Sequence, residues 1–365
     1  MTEPTVLRTP RARRYVGRLR LVAQRLVPAT ASSPAEAVQH MTCLQAQDFR
    51  SGRSAVALRS GCAVGDVDAA LNAGDIVRSW PMRGTLHLVA ATDLRWMLAL
   101  NGESILHSAR RRHSELGITA QDIETARMAA EERLRGGRGV DRPGLFAHWE
   151  AHGIATAGQR GAHLLQALCL RAHLVLGPIV GRQQQFVLFD EWIRTSEPVD
   201  RAANIADWAR RYFRSHGPAT VADFRWWSGV LQRDLAPVWD AVRADLVELV
   251  VDGTAYFVAP ETIAAWEEHD AATLRPQLTP AFDEILLGYA DRTPTLDKQH
   301  MEQVVPGGNG MFKAALLDGG AAVATWRRKP VKSIVAVDVS SFDGALSKRA
   351  ERALPGLARR YPFAP

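Results

Sequence analysis

The chain has 365 residues, 47% of them hydrophobic, with 45 Lys plus Arg against 39 Asp plus Glu and a formal net charge of +6 at pH 7. That length and apolar share suffice for two or three compact domains with cores of their own, which argues against a disordered chain, and the basic balance is compatible with a polyanionic partner. Three widely spaced cysteines, Cys43, Cys62 and Cys169, fit neither a disulfide framework nor a zinc site, the basic stretch Met1 to Arg14 lacks the apolar run of a signal peptide, and no segment has the length of a membrane span.

Residues 14–91 hold an apolar helix around Ala35 to Met41, then the polar segment Cys43-Leu44-Gln45-Ala46-Gln47-Asp48, and end in a strand pair around Ile76 to Trp80 and Gly84 to Val89. Residues two apart point about 200° apart on an α-helix and to one side in extended chain. If Gln45 and Gln47 act together, part of this segment must therefore leave regular helix. By residue type alone, two glutamines beside a helix end are more often caps or surface groups. The run Arg110-Arg111-Arg112-His113 reads as a solvated basic face.

Residues 122–190 repeat the grammar. A helix around Glu124 to Arg135 breaks at Gly136 to Gly139, helices follow over Pro143 to His152 and Gln159 to Arg171, and a hairpin runs from Leu174 to Phe189 with its turn near Gly181-Arg182. The pattern is clearest over 201–259. A helix over Ile205 to Ser215 stops at His216-Gly217-Pro218, a second helix starts with Thr220 as N-cap, and a third spans Leu231 to Asp245. Two β-forming runs then flank Asp252-Gly253, a strong hairpin signal. Three helices and a β wing make a winged helix, and its recurrence predicts tandem units at 1–121, 122–200 and 201–270. Trp226-Trp227 has the spacing of core packing for at least one ring.

From about Ala271 the texture turns β-rich, with strand-like runs at Pro280 to Tyr289, Met311 to Leu317, Val323 to Arg328 and Ile334 to Val339, and a closing helix near Gly344 to Arg359. The expected fold class is α+β, three winged-helix units followed by a β-rich, barrel-like domain over 271–365. Lys313, Trp326, Arg327, Arg328 and Lys329 set positive charge beside an aromatic ring, which suits a phosphate backbone as well as a solvated strand end. No Walker loop, Rossmann glycine fingerprint, His-Glu-x-x-His helix or cysteine pair is present, which disfavours nucleotide hydrolysis, hydride transfer and zinc catalysis.

Five stretches, in chain order, carry a family resemblance: Leu44-Gln45-Ala46-Gln47-Asp48; Arg78-Ser79-Trp80-Pro81-Met82-Arg83-Gly84-Thr85-Leu86-His87; Asp223-Phe224-Arg225-Trp226-Trp227-Ser228-Gly229; Pro280-Ala281-Phe282-Asp283-Glu284-Ile285-Leu286-Leu287-Gly288-Tyr289; and Asn309-Gly310-Met311-Phe312 with Thr325-Trp326-Arg327-Arg328. Together they resemble the AlkZ/YcaQ-like winged-helix DNA glycosylases. The resemblance implies three winged-helix units in a C-shaped clamp around DNA plus a C-terminal β domain. It also implies excision of N7-alkylated purines, including bulky natural-product adducts and interstrand crosslinks.

Family members carry a catalytic Gln-apolar-Gln or Gln-apolar-Asp motif, so the resemblance names Gln45 and Gln47 as catalytic, in the pattern of the branch associated with antibiotic self-resistance. Asp48 is displaced by one position from the aspartate of the other branch and is not read as a base. The chemistry suits glutamine. Alkylation at N7 makes the purine cationic and leaves it a neutral leaving group, so a water held by two amides beneath C1′ suffices. Arg50, Arg83, Thr85, His87, Lys313, Arg327, Arg328 and Lys329 are the expected DNA-facing residues. No metal or cofactor is expected, the partner is double-stranded DNA carrying alkylated purines, and a cytoplasmic monomer without membrane or obligate protein partner suffices. Two other readings stay open: a noncatalytic winged-helix regulator, and a resistance protein that sequesters the free genotoxin.

Overall fold

The computed structural model describes residues 5–7, 12–181, 183–329 and 336–365. Arg182 of the expected hairpin turn, Ile334 and Val335 of the expected last strand, and most of the basic stretch Met1 to Arg14 lie outside the described residues. The chain divides into two compact units, one made of Met1–Val64 with Ile205–Pro365, the other of Gly65–Asn204. Residues 1–64 therefore pack with the C-terminal part, a long-range association that local periodicity does not carry.

In the first unit, helix Arg201–His216 buries Ile205, Trp208, Ala209, Tyr212 and Phe213, the three-and-four spacing of one helical face. Thr220 then caps helix Val221–Ser228 in a reciprocal box: its side chain accepts from Asp223 N at 3.0 Å, and its own N–H donates to Asp223 Oδ2 at 2.9 Å. Helix Gln232–Arg243 follows, and strands Val247–Val251 and Thr254–Val258 pair antiparallel. Their turn residues Asp252 and Gly253 have φ of 50° and 79°, the left-handed pair that a two-residue hairpin demands. Strand Thr5–Leu7 adds to Val247–Val251 in parallel, a pairing with no local sequence signal. Helix Ala12–Ala23 packs beside Pro260–Thr273, with the Tyr15 and Trp266 rings edge to face at 4.8 Å.

The C-terminal part holds strands Gln277–Thr279, Ala315–Asp318, Ala321–Lys329 and Ala336–Ser341. Among the described residues these form an open antiparallel ladder in the order 336–341, 321–329, 315–318, 277–279, not a closed barrel. Helix Lys348–Arg360 and the tail residues Tyr361 and Phe363 cover it, packing on Leu278, Leu316 and Trp326. The run Pro280 to Tyr289 is not a strand: Glu284–Leu287 is a short helix capped by Asp283, which accepts from Ile285 N at 2.9 Å. All four helix residues are buried, so the run has neither the alternation of a strand nor the stripe of a surface helix, and periodicity alone could not separate the two.

A buried polar spine ties this short helix to the N-terminal part. Arg59 and Asp283 form a two-pronged ion pair at 2.8 and 3.0 Å with side chains 0% and 1% exposed. Arg59 also donates to Gln24 Oε1 at 2.7 Å, Gln24 Nε2 donates to the Tyr289 hydroxyl at 3.0 Å, and that hydroxyl donates to His216 O at 2.8 Å. Asp283→Asn keeps the helix cap but removes the charge opposite a buried guanidinium. It is expected to destabilise the chain by about 3 kcal/mol in urea unfolding, and a loss below about 1 kcal/mol would mean that the pair adds little to this core.

In the second unit, strands Ile76–Met82, Thr85–Ala90, Leu174–Val180 and Gln183–Leu188 form consecutive antiparallel neighbours in the order 85–90, 76–82, 174–180, 183–188, the two hairpins meeting at Arg78 and Leu176. Helices Ala91–Ser108, Ala120–Leu134, Arg142–Ala151 and Arg160–Leu170 surround them. Within Arg110–Glu115 the basic run is mixed in character: Arg111 and Arg112 pair with Glu115, whereas His113 is buried. The basic-face reading therefore holds for the arginines and fails for His113, which turns inward beside His163 at 5.4 Å. No described helix is long and apolar enough to cross a membrane.

Candidate active site around Gln45

The segment that carries the two glutamines is a short break between two helices. Helix Pro34–Met41 ends, Thr42 reverses the chain at φ 65°, and Cys43–Gln45 runs extended. A positive φ on a β-branched residue is strained and persists only where its surroundings enforce it. Ala46 and Gln47 have no regular structure, and helix Phe49–Ser60 begins with Asp48 as N-cap, accepting from Arg50 N and Ser51 N at 3.0 and 3.1 Å. Asp48 is thus occupied as a cap. The helix can lie against the segment because of Gly52, where a Cβ would stand 2.8 Å from Ala46 Cβ and 3.2 Å from Gln45 O.

The two glutamines are joined through the Gln47 backbone and are not equivalent. Gln45 is buried, 6% exposed, and its Oε1 accepts from the backbone N–H of Gln47 at 2.5 Å. Gln47 itself is exposed. This bond fixes the direction of the Gln45 carbonyl dipole, and an amide oxygen with one donor still has a second lone pair to offer. The backbone of Gln45 is anchored in turn, its N–H donating to Glu284 Oε1 at 3.0 Å. Glu284 is fully buried, and its Oε2 accepts from Trp227 Nε1 at 2.9 Å and lies 3.7 Å from His216 Nε2. Burial pushes the His216 imidazole below its ordinary value while Glu284 pulls it back up, and Ser215 Oγ sits 2.8 Å from its Nδ1.

Glu284, Trp227 and His216 were not singled out from the sequence as neighbours of Gln45. The one available signal was an Asp-Glu pair inside an apolar run, since charges placed there are buried only with partners. Trp227 packs in an aromatic cluster with Trp208 and Tyr212, whereas Trp226, one residue earlier, is 40% exposed with the Arg292 guanidinium 4.9 Å from its ring.

The remaining residues expected at a DNA surface fall into separate groups. In the first unit, Arg50 is exposed on the opening turn of helix Phe49–Ser60, and Lys313 is exposed just before strand Ala315–Asp318. Arg327, Arg328 and Lys329 are exposed at the end of strand Ala321–Lys329. Arg327 is paired with Asp338 at 2.7 Å, and Arg328 stands over the Phe363 ring at 4.8 Å. Trp326 is not their exposed aromatic partner: it is buried, with Nε1 donating to Thr279 O at 3.0 Å. Alternation along the strand turns residue 326 inward and residue 327 outward.

In the second unit, Arg83, Thr85 and His87 sit together at one hairpin tip. Arg83 and Gly84 form its left-handed turn with φ of 53° and 69°. His87 is buried and its Nδ1 lies 2.9 Å from Thr85 O. A carbonyl can only accept, so that nitrogen carries the proton and Nε2 faces the Arg83 guanidinium, 3.5 Å away.

Comparison with known proteins shows a shared fold and family. A solved structure, the DNA glycosylase AlkZ of Streptomyces sahachiroi, has the same fold, with a TM-score of 0.77 over 96% of each chain at 22% identity. A curated protein named interstrand DNA cross-link repair glycosylase, from Streptomyces sahachiroi, is 25% identical over 335 residues, 86% of this chain and 87% of that one. The family model described as DNA glycosylase AlkZ-like matches residues 38–362, a span that holds Gln45, Gln47 and Glu284, and the chain belongs to this family of DNA glycosylases.

Proposed function

We propose that the chain is a monofunctional DNA glycosylase that hydrolyses the N-glycosidic bond of cationic N7-alkylated purines, with Gln45 and Gln47 positioning the attacking water. The observation that carries this reading is the break in helical structure at Gln45-Ala46-Gln47, where the Gln45 amide is buried and fixed by the Gln47 backbone N–H and Gln47 itself is exposed. The fixed Gln45 oxygen, with a lone pair remaining, holds the water and favours positive charge on the sugar, and the exposed Gln47 amide closes over it. Neither takes up a proton at neutral pH, so such a site works on leaving groups that depart neutral and fails on uracil, where acid assistance to the leaving group matters.

The substrate we propose is duplex DNA approached from the groove, including bulky natural-product adducts and, from the name of the Streptomyces sahachiroi relative, interstrand crosslinks. A crosslinked purine cannot be flipped out without dragging its partner strand, which favours access to a lesion left near its stack. The winged-helix reading of 1–121, 122–200 and 201–270, and a C-shaped clamp built from these units, belong to the same proposal. So do DNA contacts by Arg50, Arg83, Thr85, Lys313, Arg327, Arg328 and Lys329, a monomeric state, and a role on the bacterial nucleoid in repair or self-resistance; His87, expected to face DNA, is 0% exposed and acts only through its neighbour Arg83.

The test is base release from N7-methylguanine, a nitrogen-mustard crosslink and several natural-product adducts, without added metal. The expected result is abasic sites that become strand breaks only after alkali. Tight duplex binding with no base released would favour the regulator reading, and drug binding that needs no DNA would favour sequestration.

A further inference from the structure

Glu132, His148 and His152, none of them given a role above, come together in the second unit. Glu132 lies on helix Ala120–Leu134, His148 on helix Arg142–Ala151, and His152 follows directly, four positions after His148 and so on the same helical face. One ligand atom from each of the three lies within 4.8 Å of the others. We propose that this cluster is a binding site for a first-row transition-metal dication, with Zn²⁺ the best match to two imidazoles and a carboxylate.

The hydrogen bonds of the rings support the assignment. His148 Nε2 lies 3.0 Å from Ala129 O, and His152 Nδ1 lies 2.8 Å from His148 O. Because carbonyl oxygens only accept, those nitrogens hold protons, which leaves the other nitrogen of each ring as the one that can ligate. Backbone carbonyls fix the tautomer of ligating histidines in the same way at metal sites. His152 Nε2, the nitrogen left with a lone pair, is 3.5 Å from Glu132 Oε2. A cation bound between that nitrogen and the carboxylate bonds to both. The frame is rigid, since the buried Trp149 between the two histidines donates its Nε1 to Ala126 O at 3.0 Å and pins one helix to the other. With three protein ligands, a water completes a tetrahedron, and the ion acts as a clamp between the two helices.

The test needs no DNA. Chelator-treated, tag-free full-length chain is titrated with ZnCl₂ by calorimetry, alongside His152→Ala and Glu132→Gln, each checked for native helix content by circular dichroism. Glu132 has a side chain 71% exposed, so its substitution leaves folding intact even where the histidine change does not. One saturable site of micromolar affinity is expected, weakened at least tenfold by either substitution, with two imidazole nitrogens in the zinc absorption spectrum. No saturable binding, as for a plain ion pair of protonated His152 with Glu132, or a loss below tenfold in both variants, overturns the proposal.

Discussion

Replacing Gln45 and Gln47 together with alanine is expected to slow single-turnover release of N7-methylguanine about a thousandfold, the range for removing preorganised dipoles aimed at developing charge. The single substitutions should not multiply to that figure if the two residues act as one device, as proposed. Their asymmetry sets the order. Gln47→Ala keeps the backbone N–H that holds Gln45 Oε1, so the buried amide stays in place and only the exposed amide is lost. Gln45→Ala removes the acceptor itself, and with it both the fixed dipole and the bond that shapes residues 45–47. Gln45→Ala should therefore be the more damaging single change. Neither residue is charged, and duplex affinity rests on Lys and Arg releasing counterions from phosphates, so binding of undamaged duplex should stay within about threefold of the unaltered chain. A double variant that still releases the base within about threefold of the starting rate would exclude both glutamines from the chemistry.

What could be read from the sequence was whatever local signals decide. The 205, 208, 209, 212, 213 stripe, the Thr220–Asp223 box and the Asp252-Gly253 turn each act over fewer than ten residues, and each element stands where those signals put it. If Gln45 and Gln47 act together, helical geometry requires part of residues 45–47 to leave helix, and the chain does so between Thr42 and the Asp48 cap. What was hidden depends on contacts far apart in the chain. Strand Thr5–Leu7 finds its partner at Leu249 to Val251, Arg59 meets Asp283, and Trp226 differs from Trp227 only because the capped helix turns one ring toward Tyr212 and the other outward. The inequality of the two glutamines is of the same kind. Nothing in Gln-Ala-Gln says which amide is buried, nor that Glu284, 239 positions away, holds the Gln45 backbone N–H.

The same contact makes Glu284 the positioning residue whose loss should matter most outside the glutamines themselves. Its two oxygens accept from the Gln45 N–H and the Trp227 indole in a site closed to water, with His216 3.7 Å away. Glu284→Ala leaves these donors buried without an acceptor and is expected to destabilise the fold by about 3–5 kcal/mol, too severe a change to report on positioning. Glu284→Gln is the sharper experiment. A glutamine keeps one accepting oxygen but turns an NH₂ toward the second donor, so either Gln45 or Trp227 loses its bond at a cost of about 2 kcal/mol. The expected folded variant melts at lower temperature and binds lesion DNA with nearly unchanged KM. Its kcat is expected to fall about ten- to a hundredfold, because a shift of well under 1 Å at Gln45 would misplace the water proposed there while leaving phosphate contacts untouched. Glu284→Asp, too short to span both donors, should lower kcat as well. A Glu284→Gln chain that loses stability while kcat stays within twofold would mean that the carboxylate serves packing alone, with the Gln45 dipole held by Gln47 and by the close approach of Gly52.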